Sequence, residues 1–178
     1  MHGVIKFARN GSKQYLYSRC IFEKHSRMDE YMITPGGVDD IGTLAAFQVE
    51  MAMESEGAVL SLERVQRGVR AVVEDPAKGL YMVARSAGVP VGSLMVTREW
   101  SDWNCVWYWW VQSVYVVPGH RGKGVYRAMY SKVKEMALEQ GVTWVRLYVD
   151  KKNTRAQKVY ESVGMAECHY IMYEEELA

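Results

Sequence analysis

From Asp29 onward the apolar positions fall into runs whose period switches between two and about 3.6, and each switch predicts an element. Tyr31 to Thr34 is a short strand stopped by Pro35-Gly36-Gly37. Asp39 or Asp40 can then cap a helix that gathers Ile41, Leu44, Ala45, Val49 and Ala52 on one face and is interrupted by Gly57. Ser61 caps a second helix, with Leu62, Val65, Val69, Val72 and Val73 together, ended by Asp75-Pro76. Leu80 to Ala84 and Val89 to Thr97 read as strands joined through the turn pair Ala87-Gly88. Cys105 to Val117 is apolar on both alternating faces, with Trp107, Trp109, Val111 and Tyr115 on one and Val106, Tyr108, Trp110, Val114 and Val116 on the other. A strand buried on both faces is central in its sheet.

Helical spacing returns at Val125, Met129, Val133, Met136 and Ala137 and closes at Gly141. Thr143 to Val149 predicts another buried strand, and Asn153 caps a helix carrying Ala156, Val159, Tyr160 and Val163 that Gly164 stops. Met165 to Glu174 predicts a final strand. Strand, two helices, a three-strand meander, helix, strand, helix, strand is the order of an α/β sandwich on a mixed sheet. Upstream, Met1 to Arg27 holds neither period, and Asn10-Gly11-Ser12 is a turn signal.

Composition narrows this picture only a little. A chain of 178 residues suits one well-buried core. A net charge of +1 supplies no global attraction to nucleic acid or an anionic membrane. The six basic residues Lys6, Arg9, Lys13, Arg19, Lys24 and Arg27 nevertheless make residues 1–28 a basic extension ahead of a mildly acidic domain at residues 29–178. Cys20, Cys105 and Cys168 are odd in number and lack CxxC spacing, so neither a disulfide framework nor a metal site is expected. The absence of a long apolar stretch predicts a protein away from the membrane, and a reducing, cytoplasmic setting fits the cysteines.

The chemistry concentrates where the central strand meets the next helix, in VYVVPGHRGKGVYRAMY. Backbone N–H groups at a helix start lack partners and carry the positive end of the helix dipole, so such a turn attracts an anion. Gly122 and Gly124 let a ligand come close, while His120, Arg121, Lys123 and Arg127 add positive charge. A diphosphate is a natural guest. The Walker pattern GxxxxGK[ST] fails at Val125, and GxGxxG fails at Arg127. The pattern R/Q-x-x-G-x-G/A fits from Arg121 through Val125, with Tyr126 standing in the place of its closing small residue.

On this loop, on the strand ending Val116-Val117-Pro118 and on a second segment, LYVDKKNTRAQKVYESVGM, the chain resembles the GNAT superfamily of N-acetyltransferases. The resemblance runs from about Tyr31 to Tyr173 in the same order of elements. It implies a GNAT-like acyl-CoA N-acyltransferase fold, a mixed central β-sheet with splayed strands flanked by helices, and acetyl-CoA as acyl-donor cosubstrate with no metal. It further implies that Val114, Tyr115 and Val116 pair with the pantetheine arm, and that the amides from Gly122 through Lys123, Gly124, Val125 and Tyr126 to Arg127 hold the pyrophosphate near Arg121. An N–H at Val114 or Tyr115 would polarise the thioester carbonyl.

Tyr160 stands at the family's common tyrosine position and is the candidate acid for the departing thiolate, although its helical spacing with Ala156 and Val163 also suits a core side chain. Asn153 has a similar double reading, as helix cap and as cofactor contact, and the cap alone explains it adequately. Where many relatives carry a strand carboxylate as base, this chain has Tyr148. Glu99 is the candidate base in its stead, and Glu50, Glu54 and Glu56 are placed to attract a cationic amine. The tryptophans from Trp100 to Trp110 suit core packing or a homodimer interface better than nucleic acid, because few basic residues accompany them. Two other function classes stay open: a non-catalytic acyl-CoA binding or sensing module, and an interaction protein using the tryptophan strand.

Overall fold

The computed structural model describes residues 31–177, so the basic extension and its Asn10-Gly11-Ser12 turn lie outside the described residues. Strand β1 (Met32–Pro35) leads through a 3-10 turn at Val38–Asp40 into helix α1 (Ile41–Glu56), and α2 (Leu62–Glu74) follows. Next come β2 (Leu80–Ser86), β3 (Val89–Ser101) and β4 (Val106–Val116), then α3 (Val125–Glu139), β5 (Trp144–Arg146) and α4 (Thr154–Ser162). The five strands lie side by side in chain order, antiparallel except for β4 and β5, which run parallel. The mixed sheet flanked by helices is the architecture that the order of periodicities predicts. Among the described residues no helix is long and apolar enough to cross a membrane.

Local chemistry sets most boundaries. The Ser61 hydroxyl accepts the Arg64 N–H at 3.4 Å and starts α2, and Gly57 ends α1 with φ 67°. Ala87 and Gly88, at φ 48° and 83°, turn the β2–β3 hairpin with the two left-handed residues such a tight connection needs. Buried Asp40 accepts from the Arg85 guanidinium at 2.6 and 2.8 Å and from the Gly37 N–H at 2.9 Å. A carboxylate taken out of water is tolerated only with such partners, and these fasten the start of α1 to β2.

Alternation along β2 assigns the two faces. Tyr81 and Val83 pack with Ile41, Leu44, Ala45 and Val69 of α1 and α2. Met82 and Ala84 belong to the larger core on the other face, with Leu94, Val96, Trp109 and Val111 of the sheet beneath Val125, Met129 and Val133 of α3. Gly92 lets α3 approach: a Cβ there would lie 2.9 Å from the Tyr115 carbonyl oxygen and 3.1 Å from Val125.

Strand β4 departs from simple alternation. Ser93 pairs with Tyr115 but Met95 pairs with Gln112, so β4 carries one extra residue, and Ser113 sits there at φ 53°. This is a β-bulge, and an inserted residue exchanges the faces of everything beyond it. Val114 and Val116 therefore join the core of Trp109 and Val111, whereas Tyr115 turns to the opposite face and meets Phe47 of α1 with ring centroids 5.1 Å apart. The alternation read from the sequence grouped Tyr115 with Trp109 and Val111; the bulge corrects that.

The last two strands also differ from expectation. β5 spans Trp144–Arg146 rather than Thr143 to Val149, and Met165 to Glu174 forms no strand. Tyr170, Ile171, Met172 and Tyr173 stay 68, 69, 61 and 86 % exposed. Their composition favours extended backbone, but a strand persists only where a neighbouring edge takes its hydrogen bonds.

Candidate active site

β4 and β5 pair only from Tyr108 to Trp110 against Trp144 to Arg146. Past Trp110, β4 runs on through the bulge to Val116 with no strand beside it on that edge among the described residues. Val114, Tyr115 and Val116 lie on this unpaired edge. The chain then makes a 3-10 turn at Pro118–His120, passes Gly122 and Gly124 at φ 74° and 91°, and enters α3 at Val125. Both glycines adopt the left-handed conformation that side chains resist, and a Cβ on either would meet nothing within 4 Å. The turn is thus open outward. Among the described residues no side chain caps α3, so the N–H groups of its first turn, Val125 to Arg127, face that open space with the helix dipole behind them. Unpartnered N–H groups at a helix start can hold an anion.

The loop's cations are disposed unequally. Arg121 turns away from the glycines: its Nε donates to the Val116 carbonyl at 2.7 Å, its Nη2 reaches the Glu54 carboxylate at 2.7 and 3.0 Å, and its guanidinium lies 5.5 Å from the Tyr115 ring centre. It ties the end of β4 to α1. Arg127 reaches the Ser162 carbonyl at 3.3 Å, while Lys123 is exposed at the loop and has no ion pair among the described residues.

Tyr126 does not cover the loop. Helical geometry points its ring inward, stacked on Tyr130 with centroids 5.7 Å apart and meeting Tyr160 edge-on at 5.3 Å. The ring is buried, and its hydroxyl has no hydrogen-bond partner among the described residues. Burial, reinforced by the neighbouring Tyr160 and Tyr130, holds this phenol far above its ordinary range.

Tyr160, near the end of α4, is half-buried beside the first turn of α3, and burial raises its phenol too. The structure thus brings Tyr160 together with the glycine turn. Asn153 caps α4, accepting the Ala156 N–H at 3.0 Å. It lies at the other end of that helix from Tyr160, about 10 Å away at ~1.5 Å per residue.

Two acidic clusters flank β4. Near its end, the Tyr115 hydroxyl donates to Glu50 of α1, and burial followed by that carboxylate pushes Tyr115 up to about 12. Near its start, Glu99 lies opposite Tyr108, roughly 20 Å of strand from Val114 at ~3.3 Å per residue. Glu99 accepts from the Trp110 indole and, at 3.4 Å, from Arg146, whose guanidinium lies 4.4 Å from the Tyr108 ring centre and 5.7 Å from that of Trp110. The structure therefore engages Glu99 where β4 and β5 still pair, beside Trp110 and Arg146, and gives it no contact with Tyr160. Sequence reasoning missed the Glu50–Tyr115 contact and the bulge; Gln112-Ser113, the polar pair interrupting an apolar run, was the signal for the latter.

The model of the acetyltransferase (GNAT) family matches residues 43–165. Mycothiol acetyltransferase of Corynebacterium aurimucosum is 31% identical over 108 residues, which cover 59% of this chain and 36% of that protein. The chain thus spans about a third of the length of this curated relative. A possible acetyltransferase from Clostridium difficile 630 superposes with TM-score 0.78 at 37% identity, over 83% of this chain and 98% of that one. A predicted acetyltransferase with acetyl-CoA from Clostridium acetobutylicum has TM-score 0.68 over 82% of this chain and 96% of that one. At 14% identity that likeness is one of fold.

Proposed function

We propose, from the premise that the chain belongs to the acetyltransferase (GNAT) family, that it transfers the acetyl group of acetyl-CoA to a primary amine by direct attack in a ternary complex. The observation that carries the proposal is the unpaired edge of β4 leading into an uncapped helix start behind two open glycines. The amides from Gly122 to Arg127, with Lys123 nearby, hold the pyrophosphate, and the backbone of Val114 to Val116 pairs with the pantetheine amides. Arg121 acts as a brace, holding β4 to α1 through Val116 and Glu54. An N–H at Val114 or Tyr115 stabilises negative charge on the thioester oxygen.

The amine nitrogen bonds to the carbonyl carbon, the C–S bond breaks, and the departing thiolate takes the phenolic proton of Tyr160. The proton lost by the amine goes to a carboxylate or to water. Glu50 suits that part better than Glu99, because it lies against Tyr115 at the end of β4 and is exposed to an arriving cation. Mycothiol acetyltransferase points to a small molecule as one class of acceptor; a peptide or protein amine is the other.

Titration calorimetry with acetyl-CoA, followed by CoA release over a panel of L-lysine, spermidine and an alanine-terminated peptide, tests this. Binding and turnover with at least one amine are expected. No binding overturns the proposal. Binding without turnover favours an acyl-CoA sensing module, which Tyr148, in the place of the strand carboxylate, supports.

A further inference from the structure

Tyr126 combines three observations that the family assignment does not absorb. It stands where the loop pattern calls for a small residue. Its ring is wedged between Tyr130 and Tyr160. Its hydroxyl is buried with no hydrogen-bond partner among the described residues, a condition it shares there with Gln48 Nε2 and Ser93 Oγ, neither of which lies against a candidate catalytic side chain. A phenylalanine would pack the same way and avoid the cost of an unsatisfied hydroxyl. The oxygen therefore calls for a use that the resting protein does not display.

We propose that Tyr126 is a positioning residue for Tyr160: its hydroxyl donates a hydrogen bond to the Tyr160 oxygen as that oxygen gives up its proton. The inference rests on Tyr160 being the acid. When the C–S bond breaks and the phenolic proton passes to sulfur, the Tyr160 oxygen becomes negative in a site where burial opposes charge. The neutral Tyr126 hydroxyl, on a ring that meets the Tyr160 ring edge-on and bonded to no acceptor among the described residues, then gains a charged partner by a small shift of either ring. The bond exists only once charge has developed, so it lowers the barrier without stabilising the bound substrate. The same sign of coupling already links the two phenols, since charge on Tyr160 disfavours charge on Tyr126 and favours the protonated, donating form of the latter. The proton that the attacking nitrogen loses, carried through water, restores the Tyr160 phenol and completes the cycle with no other reagent.

Tyr126→Phe separates this from a packing role. CoA release from acetyl-CoA is measured with L-lysine, spermidine and water as acceptors, alongside the KM for acetyl-CoA and the melting temperature, in the Tyr126→Phe, Tyr160→Phe and double variants. The expected result is a kcat about tenfold to a hundredfold lower in Tyr126→Phe, as for loss of a hydrogen bond to charge. KM for acetyl-CoA should be unchanged and the melting temperature equal or higher, because an unpaired buried hydroxyl has been removed. In the Tyr160→Phe background, Tyr126→Phe should cost nothing further. Wild-type kcat in Tyr126→Phe, or an equal loss in both backgrounds, overturns the inference while leaving Tyr160 as acid. An unchanged kcat in Tyr160→Phe overturns the acid itself, and this inference with it.

Discussion

The two ends of β4 hold similar side chains in opposite conditions. At its start, Glu99, Trp110, Arg146 and Tyr108 satisfy one another: the carboxylate accepts hydrogen bonds from the indole and the guanidinium, Arg146 covers two rings, and the Asn104 amide donates to the Tyr108 hydroxyl. At its end, hydrogen-bonding capacity is left over. Among the described residues the strand edge beyond Trp110 lacks a neighbour, the first turn of α3 is uncapped, and the Tyr126 hydroxyl has no partner. Charge and aromatic content alone would have ranked the first region as the richer site. Unspent donors and acceptors distinguish a place built to receive a ligand from one built to hold a sheet together, because a closed network has no free energy left to gain from a guest.

The largest effect should come from closing the open end. Gly124→Glu asks an L-residue to hold φ 91° and places a negative charge where the helix dipole favours an anion. Acetyl-CoA affinity by calorimetry should fall roughly a hundredfold, from about 3 kcal/mol of strain and charge together. Retained affinity would put the diphosphate elsewhere and break the comparison. A smaller effect divides the two carboxylates. Glu50→Gln should lower kcat/KM for a cationic amine about tenfold, whereas Glu99→Gln should change it less than about twofold. The reverse order would return the base to the sealed end of the strand.

The smallest effect concerns stability at the boundary between the regions. Tyr115 titrates at about 12 in the folded chain against 10.0 for the free group, so the native state holds this proton more tightly than the unfolded one. Its contribution is therefore fully present below about pH 10 and is lost as pH rises toward 12. Melting temperature should drop over that window, and Tyr115→Phe should make the drop shallower. An identical slope would mean that neither burial nor Glu50 raises Tyr115 in the folded chain.

How much of this was legible beforehand follows from the range of the forces involved. The order of elements, the Ala87-Gly88 hairpin, the Ser61 and Asn153 caps and the glycine turn before α3 were readable, because each depends on residues within a few positions of one another. The edges were less so. Met165 to Glu174 carries a strand's composition but forms none, since pairing is decided by the neighbouring edge rather than by the segment itself.

The sequence by itself determined that a helix would start behind two turn-forming glycines, and that Tyr160 would follow on a later helix. Only the tertiary structure decided which way the decisive side chains face. Ser113 inserts one residue opposite β3 and thereby sends Tyr115 toward α1 and Glu50. Arg121 folds back on Val116 and Glu54, and Tyr126 turns inward onto Tyr160. Periodicity is a short-range property and records the spacing of apolar groups; the partner that each polar group meets comes from a distant part of the chain, and no local pattern carries it.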